Sequence, residues 1–122
     1  MNIAITLKEN AGLDSTVSPI FGRCPYYMFI DPDTKKFTIE ENTAVNESGG
    51  AGIKAAQFIV DRKAAAVISG DVGPKAASVL LSEGIAIYQH HGKTAADTLE
   101  AYREKQLEQL FNSSVDAHSG LK

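Results

Sequence analysis

Short apolar runs separated by turn residues dominate the first third of the chain. Residues 2–7 (NIAITL), 27–30 (YMFI) and 37–39 (FTI) are apolar segments of strand length. Between the last two, the segment 31–34 (DPDT) carries the proline and aspartate residues typical of a tight turn. The pattern therefore predicts three strands, of which the second and third form a hairpin.

After residue 48 the apolar spacing changes to that of a helix. Ile53, Ala56 and Val60 recur on one face together with Ala55 and Ile59. Residues 65–69 (AAVIS) then predict a short buried strand, and a second helix begins at the Gly-Pro pair that follows. The pattern indicates alternating helices and strands from here on.

The last third continues this alternation. Gly84 ends the second helix, and residues 85–88 (IAIY) predict a fifth strand. Thr94 is followed three residues later by an aspartate, which is typical of a helix start, and the third helix is expected to carry Leu99, Tyr102, Leu107 and Leu110. The predicted order is β-β-β-α-β-α-β-α, an α/β domain with a mixed five-stranded sheet whose second strand is antiparallel.

Nearly every unusual segment falls on one edge of that sheet. With right-handed crossovers, the loops 8–25, 42–52, 69–73 and 89–93 all follow the carboxyl ends of parallel strands. Open α/β sheets bind ligands at this edge. We therefore expect the functional site among these loops, which together are called the rim.

Composition sets the broad class. The 122 residues, 43% hydrophobic and 22% charged, suit one domain spanning 1–111, followed by a polar segment 112–122, with His118, that is predicted to be disordered. A net charge of −3 argues against nucleic-acid binding. The first apolar run is too short for a signal peptide or a membrane span, so a cytoplasmic location without membrane contact is expected.

A single cysteine, Cys24, limits the chemistry. It excludes an intramolecular disulfide, and it excludes a resident iron–sulfur cluster, which ordinarily takes four thiolates from the protein. A two-metal nuclease is disfavoured because the first strand carries no carboxylate. No Ser-His-Asp or Cys-His arrangement can be assigned either, so an enzyme is not expected.

Four segments in order resemble a known family: SPIFGRCPYYMFID (18–31), SGGAGIKAAQFIV (48–60), AAVISGDVGPKAASVLLSEGIAIY (65–88) and GKTAADTLEAY (92–102). They are similar to the dinitrogenase iron–molybdenum cofactor biosynthesis family, with its NifX-like and NafY-like carriers and the carboxy-terminal domain of NifB. The resemblance implies a three-layer RNase H-like motif. It also implies non-catalytic, transient binding of an iron–molybdenum or iron–sulfur cofactor or precursor, exchanged with a donor or acceptor protein. The oligomeric state is left open.

The resemblance has one departure. Relatives of the nitrogenase branch often carry His-Phe-Gly at the end of the first long loop, where that histidine is proposed to contact the cofactor. Here the matching position is Ile20, followed by Phe21 and Gly22. The direct ligand is therefore missing or has moved.

Three side chains are candidate metal ligands. Cys24 suits iron as a thiolate, and the neighbouring Arg23 would favour ionisation; alternatively Cys24 is a small buried hydrophobe. His90 and His91 are adjacent, so on extended backbone only one would face the rim, and both equally suit a solvated turn.

Backbone groups complete the candidate site. Gly49, Gly50 and Gly52 lead into a helix whose N–H groups would favour an anion, either a cluster or the phosphate of a small regulatory molecule. Asp71 lies at the next helix start, where it contributes to the rim or caps the helix. The first loop is expected to contribute Phe21, Gly22, Arg23 and Cys24 to the cofactor-binding part of the rim. Gly22 and Gly70 are expected to need positive φ.

Overall fold

The computed structural model describes residues 1–45 and 49–112. These residues form a mixed sheet covered by three helices. The strands are β1 (Ile3–Leu7), β2 (Tyr26–Ile30), β3 (Phe37–Glu41), β4 (Ala66–Ser69), β5 (Ala86–Gln89) and β6 (Glu108–Leu110). The helices are α1 (Ala51–Asp61), α2 (Pro74–Ser82) and α3 (Ala95–Arg103).

The strand order in space is β3-β2-β1-β4-β5-β6. Strand β1 runs antiparallel to β2 and parallel to β4, and β4 runs parallel to β5. The predicted α/β class, the RNase H-like arrangement and the antiparallel second strand are therefore confirmed. The carboxyl ends of β1, β3, β4 and β5 meet at one edge of the sheet, which is the predicted rim.

The sheet has six strands rather than the predicted five. Helix α3 ends at Arg103, and Lys105 has a φ of 58°, so the chain turns before the last two apolar residues assigned to that helix. Leu107 follows the turn, and Leu110 lies in β6 opposite Ile87. The prediction of a longer helix was wrong because the apolar spacing of two residues cannot distinguish a last helical turn from a three-residue strand.

Both faces of the sheet are buried. On β1, Ala4 packs with the core beneath α1 and α2, whereas Ile3, Ile5 and Leu7 pack with the core beneath α3. This alternation is the two-residue period of a strand, and it produces the predicted three layers. Ile53 was expected in the first core but is 36% exposed at the rim, because α1 buries Ala51, Ala55, Ala56 and Ile59 instead.

Local signals at two helix ends are confirmed. The Thr94 hydroxyl accepts a hydrogen bond from the Asp97 backbone N–H at 3.1 Å, and Gly84 has a φ of 77°. The predicted disordered segment 112–122 lies outside the described residues except for Asn112. None of the described helices has the length and apolar character needed to cross a membrane.

Candidate functional site

The end of the first long loop is hydrogen-bonded to the turn between β4 and α2. Phe21 N–H donates to Asp71 O at 2.8 Å, Asp71 N–H donates to Pro19 O at 2.7 Å, and Gly70 N–H donates to Ser18 O at 2.9 Å. A Cβ at Gly70 would lie 2.1 Å from Pro19 O. Glycine is therefore required at position 70 because the two backbones approach closely. The prediction that Gly70 needs a positive φ was wrong.

Asn42 connects the same loop to the segment before α1. Its Nδ2 group donates to Gly22 O at 3.0 Å and to Cys24 O at 2.8 Å, while its Oδ1 accepts from Ala44 N–H at 2.9 Å. The side chain is 3% exposed. Asn42 thus fixes the position of the Phe21–Cys24 turn, a role that one asparagine in a polar segment does not signal.

A pocket of about 530 Å³ opens where these loops meet. Three of its walls come from the first loop, the start of α1 and the start of α2. The lining residues are Ile20, Phe21, Gly50, Gly52, Ile53, Asp71, Gly73, Pro74, Lys75 and Ala76. The convergence of these loops on one site was predicted, and we call this cavity the rim pocket.

Two helices begin at the rim pocket without a capping side chain. The residues preceding α1 and α2 are Gly50, with a φ of 75°, and Gly73, whereas α3 begins at Thr94 with a side-chain cap. First-turn N–H groups have no partner within their own helix, and the helix dipole adds positive potential there. Both helix starts therefore favour an anion in the rim pocket.

Among the described residues, the pocket lining carries one acidic and one basic side chain, Asp71 and Lys75, so their formal charges offset each other. Asp71 Oδ1 accepts a hydrogen bond from Gln89 Nε2 at 3.0 Å, and Lys75 lies exposed on the first turn of α2. Asp71 does not cap α2, whose preceding residue is Gly73. The apolar part of the lining includes Ile20 and Ile53, which are 51% and 36% exposed. The pocket therefore combines apolar walls with backbone donors.

Cys24 is placed in the core rather than in the rim pocket. Its side chain is fully buried, and burial raises the pKa of its thiol to about 12. Arg23 does not favour the thiolate as expected, since its guanidinium points to the Val45 carbonyl oxygen at 2.8 Å. A buried, protonated thiol is a poor ligand for iron, so the structure supports the packed-hydrophobe interpretation.

The two histidines also lie away from the rim pocket. His90 Nδ1 is 2.8 Å from Thr98 Oγ1 on the α3 side of the sheet, and burial, then the positive charge of Lys93, lowers the pKa of the imidazole. His91 is exposed, as is Gly49, and neither lines the pocket. Within residues 1–45 and 49–112 no three His, Cys, Asp or Glu side chains are grouped to hold a metal ion. The expected ligands Cys24, His90 and His91 are therefore not brought together.

Comparison with known proteins identifies the family. A family model described as dinitrogenase iron-molybdenum cofactor matches residues 1–105. The chain belongs to this family. An uncharacterized protein of Methanocaldococcus jannaschii is 32% identical over 113 residues, covering 90% of this chain and 92% of the relative.

Two solved structures share the family's fold. The apo form of the orange protein from Desulfovibrio gigas superposes with a TM-score of 0.88 at 32% identity, covering 93% of this chain and 96% of that one. A Thermotoga protein provisionally described as NifB superposes with a TM-score of 0.77 at 29% identity, covering 89% and 92% of the two chains. Family membership connects this chain with a metal cofactor, as the motifs predicted.

Sequence reasoning missed several residues of this family member's pocket. Ile53, Pro74, Lys75 and Ala76 line it, and Gln89 holds the Asp71 carboxylate. Pro74 and Lys75 were visible as part of a helix start, but only the packing of α2 beside α1 places that start opposite the first loop.

Proposed function

We propose that this protein binds an anionic metal–sulfur cofactor or precursor, of iron–molybdenum or iron–sulfur type, in the rim pocket and transfers it without chemical turnover. The convergence of two helix N-termini, both preceded by glycine, on one pocket of about 530 Å³ carries this proposal. Metal–sulfur clusters commonly carry net negative charge, and sulfide ligands accept hydrogen bonds from backbone N–H groups. Membership of the iron–molybdenum cofactor family supports the choice of cargo.

The cargo is held through its own ligand shell. None of the described residues that line the rim pocket is a cysteine or a histidine. Backbone N–H groups at the starts of α1 and α2 would contact sulfide or other anionic ligands of the cluster, while Ile20 and Ile53 cover its apolar surface. This outer-shell binding replaces direct ligation by Cys24, His90 or His91.

The open pocket suits a transient carrier. Two of its apolar lining residues, Ile20 and Ile53, are partly exposed, so a bound cluster would remain accessible to a donor or acceptor protein. A cargo bound without a protein–metal bond can leave without ligand exchange, which favours delivery over storage. The cytoplasmic location and the lack of catalysis remain predictions.

The test measures anaerobic binding of isolated iron–molybdenum cofactor, with tetrathiomolybdate as a small molybdenum–sulfur anion that has a complete ligand shell. Gly52→Ala adds a methyl group 3.5 Å from Ala76 Cβ in the pocket wall, while alanine favours a helix over glycine by about 1 kcal/mol. We expect this variant to fold at least as well as the parent and to bind several-fold more weakly. Lys75→Gln should weaken binding, and Asp71→Asn should strengthen it.

Matched controls separate this site from direct ligation. Cys24→Ser and His91→Ala should leave cargo affinity unchanged, and Lys36→Gln removes an exposed positive charge far from the rim. If the Gly52, Lys75 and Asp71 variants all bind the cargo with the affinity of the parent, the rim pocket is not the cargo site. If only a phosphate compound binds there, the alternative of a regulatory module replaces the carrier.

A further inference from the structure

A second cleft lies far from the rim pocket. It has a volume of about 600 Å³ and is lined by residues of β5, α3, β6 and the turn after β2. Tyr88 and Tyr102 belong to the α3 face of the sheet, whereas the rim pocket lies beside α1 and α2. The turn at Asp33 follows β2, which ends beside the start of β1, so the cleft also occupies the opposite end of the sheet.

Two tyrosines form the aromatic wall of this cleft. The rings of Tyr88 and Tyr102 meet edge to face, with centroids 5.4 Å apart and an interplanar angle of 86°. Both side chains are half-buried, and burial raises the pKa of the Tyr102 phenol. The two phenol rings offer a stacking surface, with their hydroxyl groups as hydrogen-bond donors at its edge.

Positive charge lies at the lip of the same cleft. Arg103 and Lys105 face it with one lining carboxylate, Asp33, in a protein whose net charge is −3. Arg103 makes only a 3.9 Å contact with the exposed Glu100 carboxylate, and Lys105 has no ion-pair partner within residues 1–45 and 49–112. The backbone of Lys105, with a φ of 58°, fixes this residue at the sharp turn between α3 and β6.

We infer that this cleft binds a small planar aromatic anion, of about the size of a nucleoside monophosphate, with its ring on the tyrosine pair and its anionic group on Arg103 and Lys105. The volume lies within the usual range for small-molecule sites, about 300–1,000 Å³. A guanidinium beside an ammonium suits phosphate or carboxylate. The Gln109 side chain, opposite Tyr88 in β6, supplies an amide for a polar ring edge.

Calorimetry and backbone amide NMR test this inference with adenosine monophosphate, 4-hydroxybenzoate, adenosine and inorganic phosphate. We expect one of the two aromatic anions to bind with a Kd below about 1 mM, and adenosine and phosphate to bind at least about ten-fold more weakly. The amide shifts should map to residues 88 and 102–109.

Variants at the cleft residues show which side chains contribute to the affinity for the aromatic anion. Lys105→Asn removes the charge while keeping a residue that tolerates positive φ, so the turn is preserved. This variant and Arg103→Gln should each weaken binding about five-fold or more, and Tyr102→Leu should weaken it further. Arg62→Gln, which removes an exposed cation that contacts Phe58, is the matched control and should bind like the parent.

The inference does not depend on the rim pocket. Gly52→Ala should bind the aromatic anion as the parent does. Shifts confined to the starts of α1 and α2, equal binding by the Lys105 and Arg103 variants, or no saturation at millimolar ligand would each overturn it.

Discussion

Gly22 packs against the backbone of Gly52, so that a Cβ on Gly22 would lie 2.9 Å from Gly52 Cα. Gly22 also has a φ of 91°, which a residue with a Cβ rarely adopts. The first loop and the start of α1 therefore approach more closely here than side chains allow. Both segments contribute lining residues to the rim pocket, so this contact holds two of its walls together.

The first prediction compares Gly22→Ala with Gly84→Ala. Both replace a glycine with positive φ, but a Cβ at Gly84 would meet nothing within 4 Å. The free energy of unfolding should fall by about 1–2 kcal/mol in the Gly84 variant and by a further 1–3 kcal/mol or so in the Gly22 variant, because only the latter also meets backbone atoms. Urea unfolding measures both, and equal losses would contradict the close approach.

Asn42→Ala should lower the free energy of unfolding by about 2–4 kcal/mol. The carbonyl oxygens of Gly22 and Cys24, in the Phe21–Cys24 turn, lose their buried donor in this variant. Asn10→Ala, at an exposed position, should change it by less than about 0.5 kcal/mol. Cargo binding by folded Asn42→Ala should also weaken, since the turn is no longer fixed. A variant as stable as the parent would show that water replaces the amide.

The buried thiol of Cys24 predicts a loss of stability in alkali. Its pKa is raised from 9.0 to about 12 in the folded protein, so between these values the unfolded chain releases a proton that the folded chain keeps. The contribution of the protonated thiol to the free energy of unfolding is fully present below pH 9. Above pH 9 the free energy of unfolding falls by up to about 1.4 kcal/mol per pH unit. Cys24→Ala should show a flatter profile between pH 9 and 10, before the tyrosines ionise.

His90 predicts a loss of stability in acid. Burial lowers the pKa of its imidazole from 6.5, so as the pH falls below that value the unfolded chain takes up a proton first. The free energy of unfolding should therefore decline with falling pH, and His90→Gln should reduce that decline.

Ile20→His tests the departure from the nitrogenase-branch pattern. Ile20 lines the rim pocket and is 51% exposed, so an imidazole there reaches the cargo without entering the core. The variant should bind an iron-containing cluster about ten-fold more tightly than the parent near neutral pH, with a changed absorption spectrum and weaker binding in acid. Ile53→His, which places the imidazole on α1 instead of the first loop, is the control for a histidine at another lining position.

The chain itself determined the architecture and the edge of the sheet where the candidate site lies. The period of two in β1 and the helical spacing around Ala55 and Ile59 reflect which faces must be buried. Gly84 and Thr94 carry the local chemistry that ends or begins a helix. Such signals can be recognised in the sequence because they depend on neighbours within a few residues. The family motifs were legible for the same reason, since they occur in continuous segments.

Only the tertiary structure decided which rim residues act together. Cys24 and His90 were candidates by residue type, yet one side chain turns into the core beneath α1 and the other toward α3. Asn42 acquired its role from two carbonyl groups that are 18 and 20 residues away in sequence. Burial and hydrogen bonding of this kind depend on contacts between distant segments, and no local pattern of residues records them.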